Sequence, residues 1–316
     1  MLGLIDIHAH FLTKSYLDAM RAAGVDSVDG FPFPDWSEES ALRLMDQWGI
    51  QTQILSISAP GIDFVTGEAA RKLAHTINEE LAGIVARHPG RFCGFGILPL
   101  PDVDGSLREI EHALDGLQLE GIVLYTNFGG IYPGDSRLDP VFEEFNRRKT
   151  VTYVHPVAPL GFDVSRFGYP AATLEYPFDT TRMITNLVSS GTMRRFPDFR
   201  MIVSHGGGTL PFLVPRIARH TTRFARVSVT ADQIIADFKT FYFDVTAVSH
   251  PHAIDALLAI ANKDRLLYGS DHPFMLQSAI LQGIEFLNSS PKLDEATRRA
   301  IGYQNAQRLF PRLVEG

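Results

Sequence analysis

The feature that most constrains the fold is an alternation. Eight short apolar, β-branched or aromatic runs recur along the chain, with segments of helical periodicity between them. The runs are Leu2–His8, Thr52–Ser58, Phe92–Leu100, Gly121–Phe128, Val151–His155, Arg200–His205, Thr240–Val245 and Leu266–Ser270. Most are continuously apolar rather than alternating, as in parallel strands covered on both faces. Of the helical segments, 67–88 is the clearest: Ala70, Leu73, Ala74, Ile77, Leu81, Ile84 and Val85 form one stripe, which Pro89-Gly90 ends. Similar stripes cover 106–117, 140–148, 180–194, 210–220, 251–261 and 276–287. Strand then helix, eight times, predicts an α/β fold of the (β/α)8 TIM-barrel type. A doubly wound open sheet is the competitor, because alternation alone does not separate the two.

A typical barrel needs about 250 residues, which leaves roughly 65 for excursions. The sequence places them after strand 1 (His10–Ile50) and after strand 5 (Val157–Phe178), both at C-terminal strand ends, where barrel sites are built. No repeat, charged linker or composition break divides the chain, so 1–316 reads as a single domain.

Composition narrows the function classes. The 36 acidic and 29 basic residues give a formal charge of −7 with no basic block, which disfavours nucleic acid as a partner. No apolar stretch approaches the ~20 residues that span a bilayer, so no membrane role is expected. A lone Cys93 excludes a disulfide framework. The N-terminus enters an apolar strand with no basic leader, so a cytoplasmic setting is expected.

Reactive side chains collect at strand ends. Strand 1 ends in Asp6-Ile7-His8-Ala9-His10, where strand alternation puts both imidazoles on one face. Strand 5 ends in His155-Pro156, strand 6 in Ser204-His205-Gly206-Gly207-Gly208, and strand 8 in Gly269-Ser270-Asp271-His272-Pro273. Each alone has a plainer reading. His8 and His10 fit a hydrogen-bonded core pair, His155 a satisfied strand-end imidazole, Asp271 a helix cap, and the glycine run a phosphate cradle. Their coincidence at one barrel mouth favours a catalytic metal site. Neutral imidazoles with a carboxylate suit zinc, manganese or iron and leave positions open for water and substrate. His205 is either a further ligand or a base beside the metal.

With these motifs the chain resembles the amidohydrolase superfamily. More narrowly, it resembles the branch containing aminocarboxymuconate semialdehyde decarboxylase and the aromatic-acid decarboxylases. The resemblance rests on Ile5–His10, Val154–Pro156, Ser204–Gly208 and Tyr268–Phe274, and so covers nearly the whole chain. It implies His8, His10, His155 and Asp271 as metal ligands and His205 as the catalytic histidine beside the metal; the catalytic proton is expected from Asp271 or from metal-bound water paired with His205. It also implies one divalent ion, zinc first and manganese next, and a homodimer or higher oligomer. Strand 4 contains no lysine to bridge a second metal, which agrees with a mononuclear site. The loops Asn127–Gly130, Tyr132, Gly134-Asp135 and Tyr176–Arg182 are similar to those of 6-methylsalicylate decarboxylase-like proteins.

The expected reaction is non-oxidative decarboxylation of a small aromatic or unsaturated carboxylic acid resembling a hydroxybenzoate. Asn127 and the aromatic side chains Phe128, Phe162, Tyr169 and Phe274 sit in strand-end loops and are expected at the substrate, where they exclude water. The resemblance also implies an arginine for the substrate carboxylate from the region of Arg219, Arg223 and Arg226, possibly across a dimer interface. Arg223 is the one assigned, against the plainer reading of solvated surface charge. Two alternatives use the same residues. One is hydrolysis or hydration of a lactone, ester, amide or activated double bond; the other is a catalytically inactive barrel kept for binding.

Overall fold

The computed structural model describes residues 3–28, 30–164, 167–224 and 229–314. Its strands are β1 (Leu4–His10), β2 (Ile50–Ser56), β3 (Phe92–Gly96), β4 (Gly121–Tyr125), β5 (Val151–His155), β6 (Arg200–Val203), β7 (Tyr242–Asp244) and β8 (Leu266–Leu267). They are parallel and hydrogen-bonded in sequence order. The ring closes where the chain after β8 returns to β1. There Ile7 N donates to Tyr268 O (3.0 Å), Asp271 N to His8 O (2.7 Å) and His10 N to His272 O (2.7 Å). An open sheet has no such contacts, so the architecture is the barrel.

The main surrounding helices are α1 (Lys14–Ala22), α2 (Glu38–Trp48), α3 (Gly67–Arg87), α4 (Val103–Glu111), α5 (Asp139–Arg148), α6 (Ala171–Ser190), α7 (Thr192–Arg195), α8 (Leu210–Phe224), α9 (Ala231–Phe238), α10 (Pro251–Ile260) and α11 (Gln277–Ser289). Their ends follow local chemistry. Ser37 and Ser40 make reciprocal capping bonds at the start of α2, and Gly49 takes a left-handed φ of 72° at its end. The chain between β1 and β2 carries α1 and α2, and that between β5 and β6 carries α6 and α7.

Strand limits differ from the apolar runs in a way that matters for the site. β1 runs to His10, so both imidazoles are strand residues. β6 stops at Val203 and β8 at Leu267, leaving His205 and Asp271 beyond the strands in left-handed backbone (φ 52° and 59°). Apolar runs report burial rather than pairing, and these turns are buried too.

Gly206, Gly207 and Gly208 all have positive φ, and a Cβ on Gly208 would lie 2.1 Å from Pro177 O in α6. The glycine run therefore lets α6 pack against the turn after β6. The opposite end of the barrel is sealed by the C-terminal segment. Asn305 Nδ2 donates to Leu266 O (2.7 Å), and the Phe310 ring lies 5.9 Å from that of Phe95. Phe95 in turn stacks on Tyr153 inside the barrel (5.5 Å). The end at the C-terminal tips of the strands is the mouth.

Candidate metal centre

Three imidazoles and one carboxylate meet at the mouth. The rings of His8 and His10 are 5.0 Å apart, and that of His155 is 4.7 Å from His10. One donor atom from each of His8, His10, His155 and Asp271 lies within 4.8 Å of the others. Asp271 Oδ1 is 3.3 Å from His8 Nε2 and 3.1 Å from His10 Nε2. The outer nitrogens explain the orientation. His10 Nδ1 is 3.2 Å from Ser56 O, and His155 Nδ1 is 2.8 Å from Pro156 O. A carbonyl only accepts, so each Nδ1 carries the hydrogen and each Nε2 turns its lone pair inward. His8 Nδ1 is fixed in the same way by Asp244 Oδ2 (3.0 Å), and its buried Nε2 makes no hydrogen bond.

The electrostatics call for a cation. Burial holds His10 below the ordinary imidazole value and His155 well below it, so both are neutral donors. Burial also pushes His8 down, but the carboxylates of Asp244 and Asp271 on either side outweigh it and lift it to about 10. Burial pushes Asp271 up, yet His8, His10 and His205 hold it well below the usual carboxylate range. The fully buried Asp244 and the partly buried Asp271 thus keep a positive charge at His8. A divalent ion among the inward nitrogens would supply that charge instead, and the donor set suits one.

Two carboxylates that support this arrangement were missed by the sequence reading. Asp244, the last residue of β7, is fully buried. Its Oδ2 holds His8, and its Oδ1 accepts from His205 N (2.9 Å) and Thr246 N (3.0 Å). Its signal was a single carboxylate at a strand tip, outside any motif. Asp6 accepts from Ser270 Oγ (2.6 Å), Ser270 N (2.9 Å) and Gln53 Nε2 (3.0 Å), pinning the loop that carries Asp271. Burial, offset in part by those bonds, pushes Asp6 up to about 6.

A cavity of about 410 Å³ opens over the centre. Its walls include Val28, Phe31, Tyr176, Val248, Phe274 and Met275, with His155, His205 and Asp271 at its polar end. His205 Nε2 stands 3.5 Å from Asp271 Oδ2, and its ring is 4.9 Å from that of His8. Phe274, expected at the substrate, lines this cavity edge-on to His10 (5.5 Å).

The other expected substrate contacts lie elsewhere. Asn127 is buried beside α6: its amide donates to Asp179 Oδ2 (2.9 Å) and its oxygen accepts from Gly130 N (3.0 Å). Phe128 packs on Tyr125 (6.5 Å) and borders a separate cleft with Asp63 and Pro101. Tyr169 is exposed on the loop before α6, and Phe162 is partly buried against the core outside the cavity. Arg219 and Arg223 are exposed on α8, and Arg226 lies outside the described residues. Among the described residues no lysine or arginine lines the cavity. His272 points away from the centre, edge-on to Trp48 (5.9 Å).

A model of the amidohydrolase family matches residues 5–312. The chain belongs to the amidohydrolase family. Among relatives of this amidohydrolase-family chain, a decarboxylase of Aspergillus niger is 34% identical, covering 98% of this chain and 87% of its own length. The 6-methylsalicylic acid decarboxylase of Penicillium expansum is also 34% identical, over 98% and 96%. A dihydroxybenzoic acid decarboxylase from Polaromonas, solved with bound manganese and the inhibitor 2-nitroresorcinol, superposes with a TM-score of 0.82. It is 26% identical and covers 98% of this chain and 97% of its own.

Proposed function

We propose that this chain is a metal-dependent carboxy-lyase that removes carbon dioxide, without oxidation, from a small aromatic acid bearing an ortho hydroxyl. The first candidate is 6-methylsalicylate. The observation that carries the reading is the quartet His8, His10, His155 and Asp271, with three Nε2 atoms turned inward, beneath an apolar cavity of about 410 Å³. In this reading those four residues hold one divalent ion. Three nitrogens and one oxygen favour zinc, with manganese next. A divalent ion held there would supply positive charge to offset that of the substrate oxygens.

The remaining chemistry belongs to side chains. Decarboxylation requires a proton at the ring carbon that bears the carboxylate; the carbon–carbon bond then breaks, its electron pair restores the ring, and carbon dioxide leaves. His205 and Asp271 are the pair that moves this proton. Asp271 turns Oδ1 toward His8 and His10 and Oδ2 toward His205, so one carboxylate serves the centre and faces the proton carrier. Asp271, held well below the usual carboxylate range, faces His205 through Oδ2, and in this reading the two form the proton-transfer pair. Phe274, Tyr176 and Met275 exclude water and hold the ring flat against the centre.

The exposed apolar side chains Leu160, Val164, Phe167, Leu174 and Phe212 lie in the loop before α6 and near the starts of α6 and α8. Buried between two copies, they make this chain a homodimer in which Tyr169 and Arg223 belong to the contact face. The protein acts as one domain on a diffusible acid in the reducing cytoplasm, where Cys93 stays a free thiol.

The test is carbon dioxide release from a panel of ortho-hydroxybenzoates by zinc- or manganese-loaded protein, with a chelated control. Chelator-sensitive release supports the reading. Loss of substrate with gain of water, and no carbon dioxide, overturns it.

A further inference from the structure

Outside the barrel, α3 and α4 bring together a second group of metal-binding side chains. α3 presents His75 and Glu79 one turn apart. α4 presents Glu109, and the π-helical turn that follows it, His112–Gly116, begins with His112. The two imidazoles stack with centroids 4.2 Å apart. His75 Nδ1 is 3.4 Å from Glu109 Oε2, and one donor atom from each of His75, Glu109 and His112 lies within 4.8 Å of the others. Glu79 Oε1 stands at the rim, 2.9 Å from His112 Nε2 and 3.9 Å from His75 Nε2.

Two details set this group apart from an ordinary surface ion-pair network. Glu109 is buried, and Asn78 Nδ2 holds its Oε1 (2.7 Å), so Oε2 is turned toward His75. Asn78 is itself fixed by Ile97 N (2.8 Å). The carboxylate is therefore oriented by a rigid partner, as metal-binding carboxylates are. His112 Nε2 is also buried and, although near Glu79, is out of line for a hydrogen bond. Of the cations that line the cleft with this group, Arg71, Lys72 and Arg108, Arg71 is engaged by Asp102 (2.5 Å).

The geometry points to a second metal site, formed by His75, His112 and Glu109 with Glu79 at its rim, for a borderline transition ion such as Zn2+. Two imidazoles and a carboxylate select zinc, copper or nickel over magnesium or calcium. The site lies on the outer wall, so its ion braces α3 against α4 and takes no part in turnover.

The test starts from protein whose mouth site is filled, with elemental analysis giving one ion per chain. Zn2+ is then titrated in, followed by calorimetry and native mass spectrometry. The expected result is one further Zn2+ per chain. His75→Ala and His112→Ala should each weaken it about tenfold or more, while His220→Ala leaves it unchanged. Zn2+ should raise the melting temperature of the filled protein but not of His75→Ala, with the same carbon dioxide release in both. His75 is 51% exposed, so its variant tests the site even if His112→Ala fails to fold. No second ion, or a second ion unmoved by His75→Ala, overturns the assignment. Calorimetry and native mass spectrometry count ions and the melting temperature reads stability, so the deciding outcomes stand apart from the decarboxylase reading.

Discussion

At the residue scale, the centre is held by groups around it as much as by the four proposed ligands. Asp244 fixes the ring of His8 and the backbone of His205 at once. Asp244→Asn should therefore lower metal affinity by about 10- to 100-fold, measurable by competition with a chromophoric chelator. The charge on His8 sets a pH dependence. With its value lifted to about 10, the metal-free protein carries a proton there at pH 7, and an incoming ion must expel it. Binding should release close to one proton per ion from this residue and tighten as pH rises from 6 to 9, which calorimetry in buffers of different ionisation enthalpy checks. A release of zero would contradict the protonation assigned to His8. The four proposed ligands were legible in the sequence because they sit in short motifs at strand ends. Asp244 was not, because one carboxylate after Phe243 looks like any strand terminus until the barrel brings β7 beside β1. Asn127, expected near the mouth from its loop position, is bonded instead to Asp179 and Gly130 beside α6, a contact no local pattern encodes.

At the scale of elements, the turns after β6 and β8 do what the strands cannot. His205 and Asp271 need left-handed backbone to face each other, and only the packing around them holds non-glycine residues there. Beside His205, Gly208→Ala would drive a methyl into Pro177 O at a φ of 66°. It should cost about 2 kcal/mol or more, seen as a lower urea midpoint, with loss of activity as α6 shifts. Periodicity predicted both helices and strands here, but not these turns, whose conformation depends on contacts with α6 and β1 that no local pattern encodes.

At the scale of the whole molecule, the barrel is closed at one end and open at the other. Phe310 is buried against Phe95 beneath the strands, so Phe310→Ala should destabilise the fold by about 3–5 kcal/mol without changing the mouth residues. Denaturant melts and metal content measured together separate those effects. The eightfold alternation made the barrel legible from sequence, whereas its closure rests on the pairing of Ala9 with His272, which the sequence could not distinguish from an open edge. The proposed function belongs to the open end, where the candidate metal centre, His205 and the apolar wall face one cavity. The most direct measurement of that claim follows 6-methylsalicylate by NMR in D2O with metal-loaded protein. The account predicts 3-methylphenol carrying deuterium at the carbon that lost the carboxylate, one carbon dioxide per product, abolished by chelation and restored by the ion. Unchanged substrate in the presence of bound metal, or a product that has gained water and kept its carboxylate, would contradict it.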